Sequence, residues 1–197
     1  MKKNGFFAMI GRMKYITRWG LMRNTLRESL SEHSFETAVV AHALAVIGRD
    51  VYGVDIDPGQ IAAAALFHDA PEILTGDLPT PVKYNNPEIL HAYRSVEAGA
   101  SESLLSMLPD ELAPTYSVLF SFEVDRPEFY RYVKAADKIS AYIKCVEERK
   151  SGNREFELAE EQLRRSIESM DMPEVRYYVE HFMSSYELTL DKLQQEE

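Results

Sequence analysis

Hydrophobic positions recur at helical spacing along almost the whole chain. Phe6, Ile10 and Met13 stand at i, i+4 and i+7 and predict a first helix that ends near Arg18-Trp19-Gly20. Ser31 is placed to cap a second helix running to about Asp50. In it Phe35, Ala38, Val39 and Val46 mark one face and Val40, Leu44 and Ile47 another, so this helix reads as apolar nearly all round and central. Asp57-Pro58 joins an N-cap residue to a proline in the first helical position and starts a third helix through Ile61-Ala62-Ala63-Ala64-Ala65-Leu66-Phe67. Gly76, Pro79 and Pro81 lie so close together that residues 76–81 are expected to form an ordered loop rather than a helix. Further helix starts fall near Asn86-Pro87, Pro109-Asp110, Asp125 to Pro127, Asn153 and Met172-Pro173. No stretch alternates apolar and polar residues while also enriched in Val, Ile and Thr, so strands are not expected. The pattern predicts an all-α domain of about seven or eight helices, with residues 1–197 forming one unit.

Composition narrows the class. With 197 residues, 45% of them hydrophobic and 27% charged, the chain is long enough to bury a substantial core. No uninterrupted apolar window reaches the length of a membrane span, and the run Phe6 to Ile10 is too short for a secretory segment, which points to a soluble, cytoplasmic protein. A net charge of -10 argues against a nucleic-acid polymer or an anionic membrane as partner. The charge is uneven, however. Residues 1–27 carry Lys2, Lys3, Arg12, Lys14, Arg18, Arg23 and Arg27 and no acid, leaving the remainder strongly negative. Such a segment is either a solvated basic face on an acidic body or a means of bringing positive charge to a small anionic ligand. The single cysteine, Cys145, has no partner for an internal disulfide and sits in no thiolate-metal pattern, so any metal must be held by His, Asp or Glu.

Five histidines qualify. His42 falls on an apolar stripe with Phe35 and Val39 and reads as a core or supporting residue; His91 and His181 lie in polar, surface-like settings. His33 and His42 are nine positions apart, half a turn around a helix, and cannot face one ligand together. His68-Asp69 differs, because two ionisable groups close a helix otherwise made of Ala, Leu and Phe. Asp137 places a carboxylate among Val133, Ala135, Ala136, Ile139 and Ala141, with Lys134 and Lys138 as its only local cations. A buried carboxylate needs a positive partner, which is either a basic side chain or a metal. Imidazoles and carboxylates without thiolates suit Mn, Co, Fe, Zn or Mg. Glu72, four residues after His68, can reach the same pocket as a base or water-positioning group. Asp77 opens the loop Asp77-Leu78-Pro79-Thr80-Pro81-Val82-Lys83, which taken alone is ordinary turn chemistry.

The order His33, His68-Asp69, Asp137 in an all-helical frame resembles the HD-domain metal phosphohydrolases. Arg18-Trp19-Gly20-Leu21-Met22-Arg23-Asn24, Ser31-Glu32-His33-Ser34, His68-Asp69-Ala70-Pro71-Glu72, Leu74 through Tyr84 and Lys134-Ala135-Ala136-Asp137 resemble the YfbR-type 5′-deoxynucleotidases of that superfamily over essentially the whole chain. Pro71 departs from the pattern, which has a small polar residue there. The resemblance implies a single HD-domain helical bundle hydrolysing 2′-deoxyribonucleoside 5′-monophosphates to deoxynucleoside and phosphate. It further implies one divalent cation, Co or Mn or another of Zn, Fe, Mg and Cu, on His33, His68, Asp69 and Asp137. Arg18 would orient the phosphate, Trp19 touch the sugar, and Arg18, Glu72 and Asp77 act in catalysis. Asp77, Leu78, Pro79 and Thr80 would contact the nucleotide beside His33, Asp69 and Asp137, and the protein would be a homodimer. Two rivals stand beside this: an HD hydrolase of cyclic, di- or triphosphate nucleotides, and a noncatalytic nucleotide-binding or metal-stabilised module. Neither a larger basic patch nor extra histidines favour the first, and Glu72 with Asp77 speaks against the second.

Overall fold

The computed structural model describes residues 4–83 and 85–194, with the main chain alone at Thr80. The chain runs through α1 (Phe6–Ile10), α2 (Leu30–Tyr52), α3 (Pro58–Phe67), α4 (Glu72–Thr75), α5 (Thr80–Lys83), α6 (Pro87–Leu105), α7 (Ala113–Phe120) and α8 (Phe122–Asp125). It continues through α9 (Pro127–Lys150), α10 (Glu157–Glu168), α11 (Pro173–Phe182) and α12 (Leu190–Leu193). Among the described residues seven of these helices have eight residues or more, which matches the expected number, and the only β-type pairing is an isolated antiparallel bridge between Thr17 and Ser29.

Local chemistry explains the boundaries, including those that differ from expectation. The first helix does not continue to Trp19: it stops at Ile10, and after a short 3-10 turn at Met13–Tyr15 the backbone extends. Leu30 donates its N–H to the Ile16 carbonyl and Arg18 donates to that of Glu28, so residues 16–18 trade helical bonds for pairing with 28–30. Helix α2 is capped by Ser29 and not Ser31, because Ser29-x-x-Glu32 completes a capping box: Glu32 N–H donates to the Ser29 hydroxyl, and Ser29 N–H donates to the Glu32 carboxylate at 2.7 Å. Residues 76–81 are also not wholly a loop. Pro81 sits in the first turn of α5, where no main-chain donor is required. The start expected at Pro109 is delayed to Ala113, since a helix from 109 would carry Pro114 in its interior. The remaining starts, capped by Asp57 and Asn86 or opened by Pro127 and Pro173, fall as expected, and Asn153 caps a 3-10 turn, Arg154–Phe156, that leads into α10.

Helices α2 and α9 are the axis of the main core, with α3, α10 and α11 packed against them. Val40, Leu44 and Ile47 of α2 meet Val133, Ala136, Ile139 and Ile143 of α9, and Ile61, Ala64 and Ala65 of α3 close the cluster. Each fully buried aliphatic side chain contributes about 1.5–3 kcal/mol, so this cluster anchors the elements that carry the site. Gly48 is required where α2 passes α9 and α11: a Cβ there would stand 2.9 Å from the Tyr132 hydroxyl, which donates to Glu174. Helix α2 is not apolar-buried all round. Phe35 is 66% and Val39 53% exposed, and His42 is exposed too, so it is not a core residue. A second cluster seats Phe6 against Phe67, Tyr116 and Phe120 and fixes the end of α3, where the chemistry begins.

Candidate metal centre and phosphate site

Three helices converge on one point. His33, 0% exposed, comes from the first turns of α2; His68 closes α3; Asp69 follows in the turn before α4; and Asp137 projects from the middle of α9. Ligand atoms of His33, His68 and Asp69 all lie within 4.8 Å of one another. Asp69 Oδ2 stands 3.1 Å from His68 Nε2 and 3.6 Å from His33 Nε2, and Asp137 Oδ1 stands 3.1 Å from His33 Nε2. The partner that Asp137 demanded is therefore His33 and not a neighbouring lysine: Lys134 pairs with Glu123, and Lys138 donates to Ser166. The Asp137 side chain remains 40% exposed and gives the cluster an open side.

Proton bookkeeping aims both imidazoles. His68 Nδ1 lies 2.6 Å from the Ala65 carbonyl, which can only accept, so Nδ1 donates there and Nε2 is the nitrogen turned toward the carboxylates. That Nε2 is buried with no hydrogen-bond partner. Ser140 donates its hydroxyl to Glu36 at 2.7 Å, so its oxygen accepts from His33 Nδ1 at 3.2 Å, which again leaves Nε2 toward the carboxylates. Burial opposes charge on His68, but Asp69 and Asp137 outweigh it and raise the imidazole to about 9. Burial likewise pushes Asp69 up, yet His68, His33 and Arg18 hold it well below the usual carboxylate range. Burial opposes ionisation of Asp137 too, and His33 keeps it low. The pocket thus draws in positive charge wherever it can. Two imidazoles whose Nε2 atoms face two carboxylates, with no thiolate, fit one divalent cation of the hard-to-borderline kind.

Cationic and acidic groups flank the centre. Arg18 Nη1 lies 3.4 Å from Asp69 Oδ2 and Nε lies 3.4 Å from Glu28 Oε2. Trp19 has the one positive φ among the described non-glycine residues, 57°. For a bulky side chain that is a strained conformation, of the sort that persists only where surroundings enforce it. Its indole N–H donates to Glu28 at 2.8 Å, and its ring meets Phe156 edge-on at 5.2 Å. Glu72 begins α4 and is buried, with Oε2 lacking a partner. Burial, then the charges of Asp69 and Asp77, push its carboxyl up to about 9 against the pull of Arg18 and Lys83. Asp77, Leu78 and Pro79 are half-buried in the turn between α4 and α5, which Gly76 enters at φ 75°. The Thr80 side chain and Tyr84 lie outside the described residues.

The family model described as 5′-deoxynucleotidase YfbR-like matches residues 5–186. The chain belongs to that family. A 5′-deoxynucleotidase of Vibrio parahaemolyticus is 46% identical to this YfbR-like chain over 193 residues, covering 98% of it and the whole of the relative. The 5′-deoxynucleotidase YfbR of Shigella boydii is 44% identical over 196 residues, covering all of the chain and 98% of the relative. The chain is an enzyme of the 5′-deoxynucleotidase class. Among solved structures, an HD-domain phosphohydrolase from Listeria innocua superposes with a TM-score of 0.81 at 23% identity, covering 94% of this chain and 90% of that one. A cyanophage S-2L HD phosphohydrolase, bound to dA and one catalytic Zn2+ ion, superposes at 0.62 with 21% identity, covering 90% and 96%. Both show the HD-domain fold for the YfbR-like chain.

Of the basic segment of this YfbR-like protein, Arg18 enters the site, whereas Arg12, Lys14, Arg23 and Arg27 are exposed as a solvated face. Sequence reading missed Glu28, Glu36, Ser140 and Tyr130. Tyr130 is held protonated by burial and then by Glu123, Asp69 and Asp137, which places its phenol in the field of the site. Ser140 is three residues beyond Asp137 and Glu36 three beyond His33, so each shares a helix face with a candidate ligand. That spacing was a usable signal.

Proposed function

We propose that His33, His68, Asp69 and Asp137 hold one divalent cation and that the site hydrolyses 2′-deoxyribonucleoside 5′-monophosphates to deoxynucleoside and phosphate. The observation that carries this reading is the convergence of ligand atoms from His33, His68 and Asp69 within 4.8 Å of one another, with Asp137 Oδ1 3.1 Å from His33 Nε2. The cation, Co or Mn or another of Zn, Fe, Mg and Cu, supplies charge neutralisation for the phosphate and lowers the pKa of a water when bound. The Zn2+ and dA held by the cyanophage neighbour suit the same reading.

The protein's own groups do the rest. Arg18 presents a guanidinium, largely buried and pinned by Asp69 and Glu28, to two phosphate oxygens at once. Glu72, buried and without a partner on Oε2, is the acid–base group: it would give a proton to the 5′ oxygen as the P–O bond to the deoxynucleoside breaks, and regain one from the water whose oxygen bonds to phosphorus. Trp19, with Asp77, Leu78 and Pro79, forms the wall against the sugar, where a 2′-hydroxyl is excluded rather than a hydrogen recognised. The chain works as one HD domain in the cytoplasm, as a homodimer. The exposed apolar side of Leu26, Phe35, Val39, Phe182, Leu188 and Leu193, which lines two adjoining cavities of about 460 and 550 Å3, supports the dimer. The test is phosphate release from matched deoxy- and ribonucleoside mono-, di- and triphosphates, with and without chelator. Chelator-sensitive release confined to deoxynucleoside monophosphates is expected. Preference for triphosphates, or release indifferent to chelator, would overturn the reading.

A further inference from the structure

We infer that Glu28 is a positioning residue that ties the sugar-facing Trp19 and the phosphate-facing Arg18 to the metal ligand His33. The inference rests on the roles given above to Arg18 and Trp19. Glu28 is buried at the start of the approach to α2. One of its oxygens, Oε2, accepts the Trp19 indole N–H at 2.8 Å and lies 3.4 Å from Arg18 Nε; the other, Oε1, lies 3.8 Å from His33 Nδ1. Its main-chain carbonyl accepts the Arg18 N–H at 3.0 Å, and the Thr17–Ser29 bridge beside it locks the two segments in register. One carboxylate therefore bonds to Trp19 and lies within ion-pair distance of Arg18 and His33, three functional side chains that come from two segments.

This arrangement accounts for the strain at Trp19. A tryptophan at φ 57° needs its surroundings to hold it, and three contacts do so: the bond to Glu28, the edge-on packing on Phe156, and the Asn24 amide donating to the Trp19 carbonyl at 3.3 Å. Of these, the charge-assisted bond holds the indole N–H, and the same oxygen lies within ion-pair distance of Arg18 Nε. Sugar selection and phosphate orientation are thus set by one group, so that neither can drift without the other.

The test uses the full-length, metal-loaded protein with Glu28→Gln, Trp19→Phe and the double variant. Losing a hydrogen bond to a charged group is expected to cut kcat/KM for deoxyadenosine 5′-monophosphate by about tenfold in Glu28→Gln. The adenosine 5′-monophosphate value should fall less, narrowing the deoxy-to-ribo ratio, and metal content should stay at the parent level. Trp19→Phe removes the same bond from its other end, so the double variant should lose no more selectivity than the worse single one. Trp19 is the sole tryptophan, so its emission reports the bond without turnover and should shift in Glu28→Gln. Unchanged emission, an unchanged deoxy-to-ribo ratio, or fully additive losses would reduce Glu28 to a structural residue and overturn the inference. A parent protein inert toward every deoxynucleotide would instead overturn the underlying assignment, and an emission shift would still establish the Glu28 contact.

Discussion

Glu72 offers the sharpest test of the electrostatics, because one isosteric change removes its ability to ionise and keeps its volume. In the folded, cation-free protein its carboxyl is pushed up to about 9 from a starting value of 4.5 by burial and by the charges of Asp69 and Asp77. Between those values the folded chain keeps a proton that the unfolded chain has released. The folded state then binds more protons, so this group makes stability fall as pH rises, by about 1.4 kcal/mol per pH unit across the window. Glu72→Gln cannot ionise and loses that slope. From about pH 5.5 to about pH 8.5 the variant should therefore gain about 4 kcal/mol on the parent, or about 10 °C in Tm for a chain of this size. Thermal melts of both proteins in chelator at several pH values give the difference directly. The same variant, metal-loaded, should keep its cation and lose about a hundredfold in phosphate release, because it has no proton to transfer. A stability difference flat with pH would refute the electrostatic argument, and parent-like turnover would refute the role.

Three further outcomes follow from particular contacts. Arg18→Lys should lower kcat/KM for a deoxynucleoside monophosphate by about tenfold, since an ammonium cannot replace the planar fork; equal specificity constants would contradict bidentate binding. A cation at about a hundred times its Kd should stabilise the parent by about 2.7 kcal/mol, raising Tm by about 5–10 °C, and the gain should vanish in His68→Ala. Glu148, buried on α9, accepts from Lys144, Asn153 and the Thr25 and Leu26 N–H groups and clamps the segment that leads from Trp19 to α2. Burial opposes its charge, but these donors hold it at about 2 against 4.5, so its stabilisation is complete above the higher value and is lost as pH falls toward the lower. Glu148→Ala should accordingly cost about 3–5 kcal/mol in denaturant unfolding at neutral pH and much less near about pH 3.

What could be read in the sequence was local. Asp57-Pro58 and Asn86-Pro87 declare helix starts because cap and proline act within one turn, and Pro173 does so by its fixed backbone without a side-chain cap. Even the Ser29 cap was available, since Glu32 completes its capping box and Ser31 has no such partner. His68-Asp69 and Asp137 stood out as charges on apolar faces, a conflict that demands resolution. Their resolution was not visible, because His33 lies 104 residues before Asp137 along the chain and only the packing of α2 on α9 joins them. The pairing of residues 16–18 with 28–30 left no alternating pattern, being too short to show one, so Glu28 went unnoticed. Phe35 and Val39 were read as core, since periodicity marks apolar faces without saying which of them the fold covers.

The central claim is that four side chains, from α2, from α9 and from the turn that ends α3, hold one catalytic cation. It is tested most directly by measuring metal content and deoxyadenosine 5′-monophosphate hydrolysis on the same preparations of the parent and of Asp137→Ala. Asp137 is the ligand at the open side of the cluster, in the middle of α9, where alanine is well tolerated by a helix. The account predicts about one equivalent of divalent metal in the parent, a loss of about ten- to a hundredfold in metal affinity in the variant, and phosphate release that disappears with the metal. Full occupancy in Asp137→Ala together with parent-like hydrolysis would contradict it.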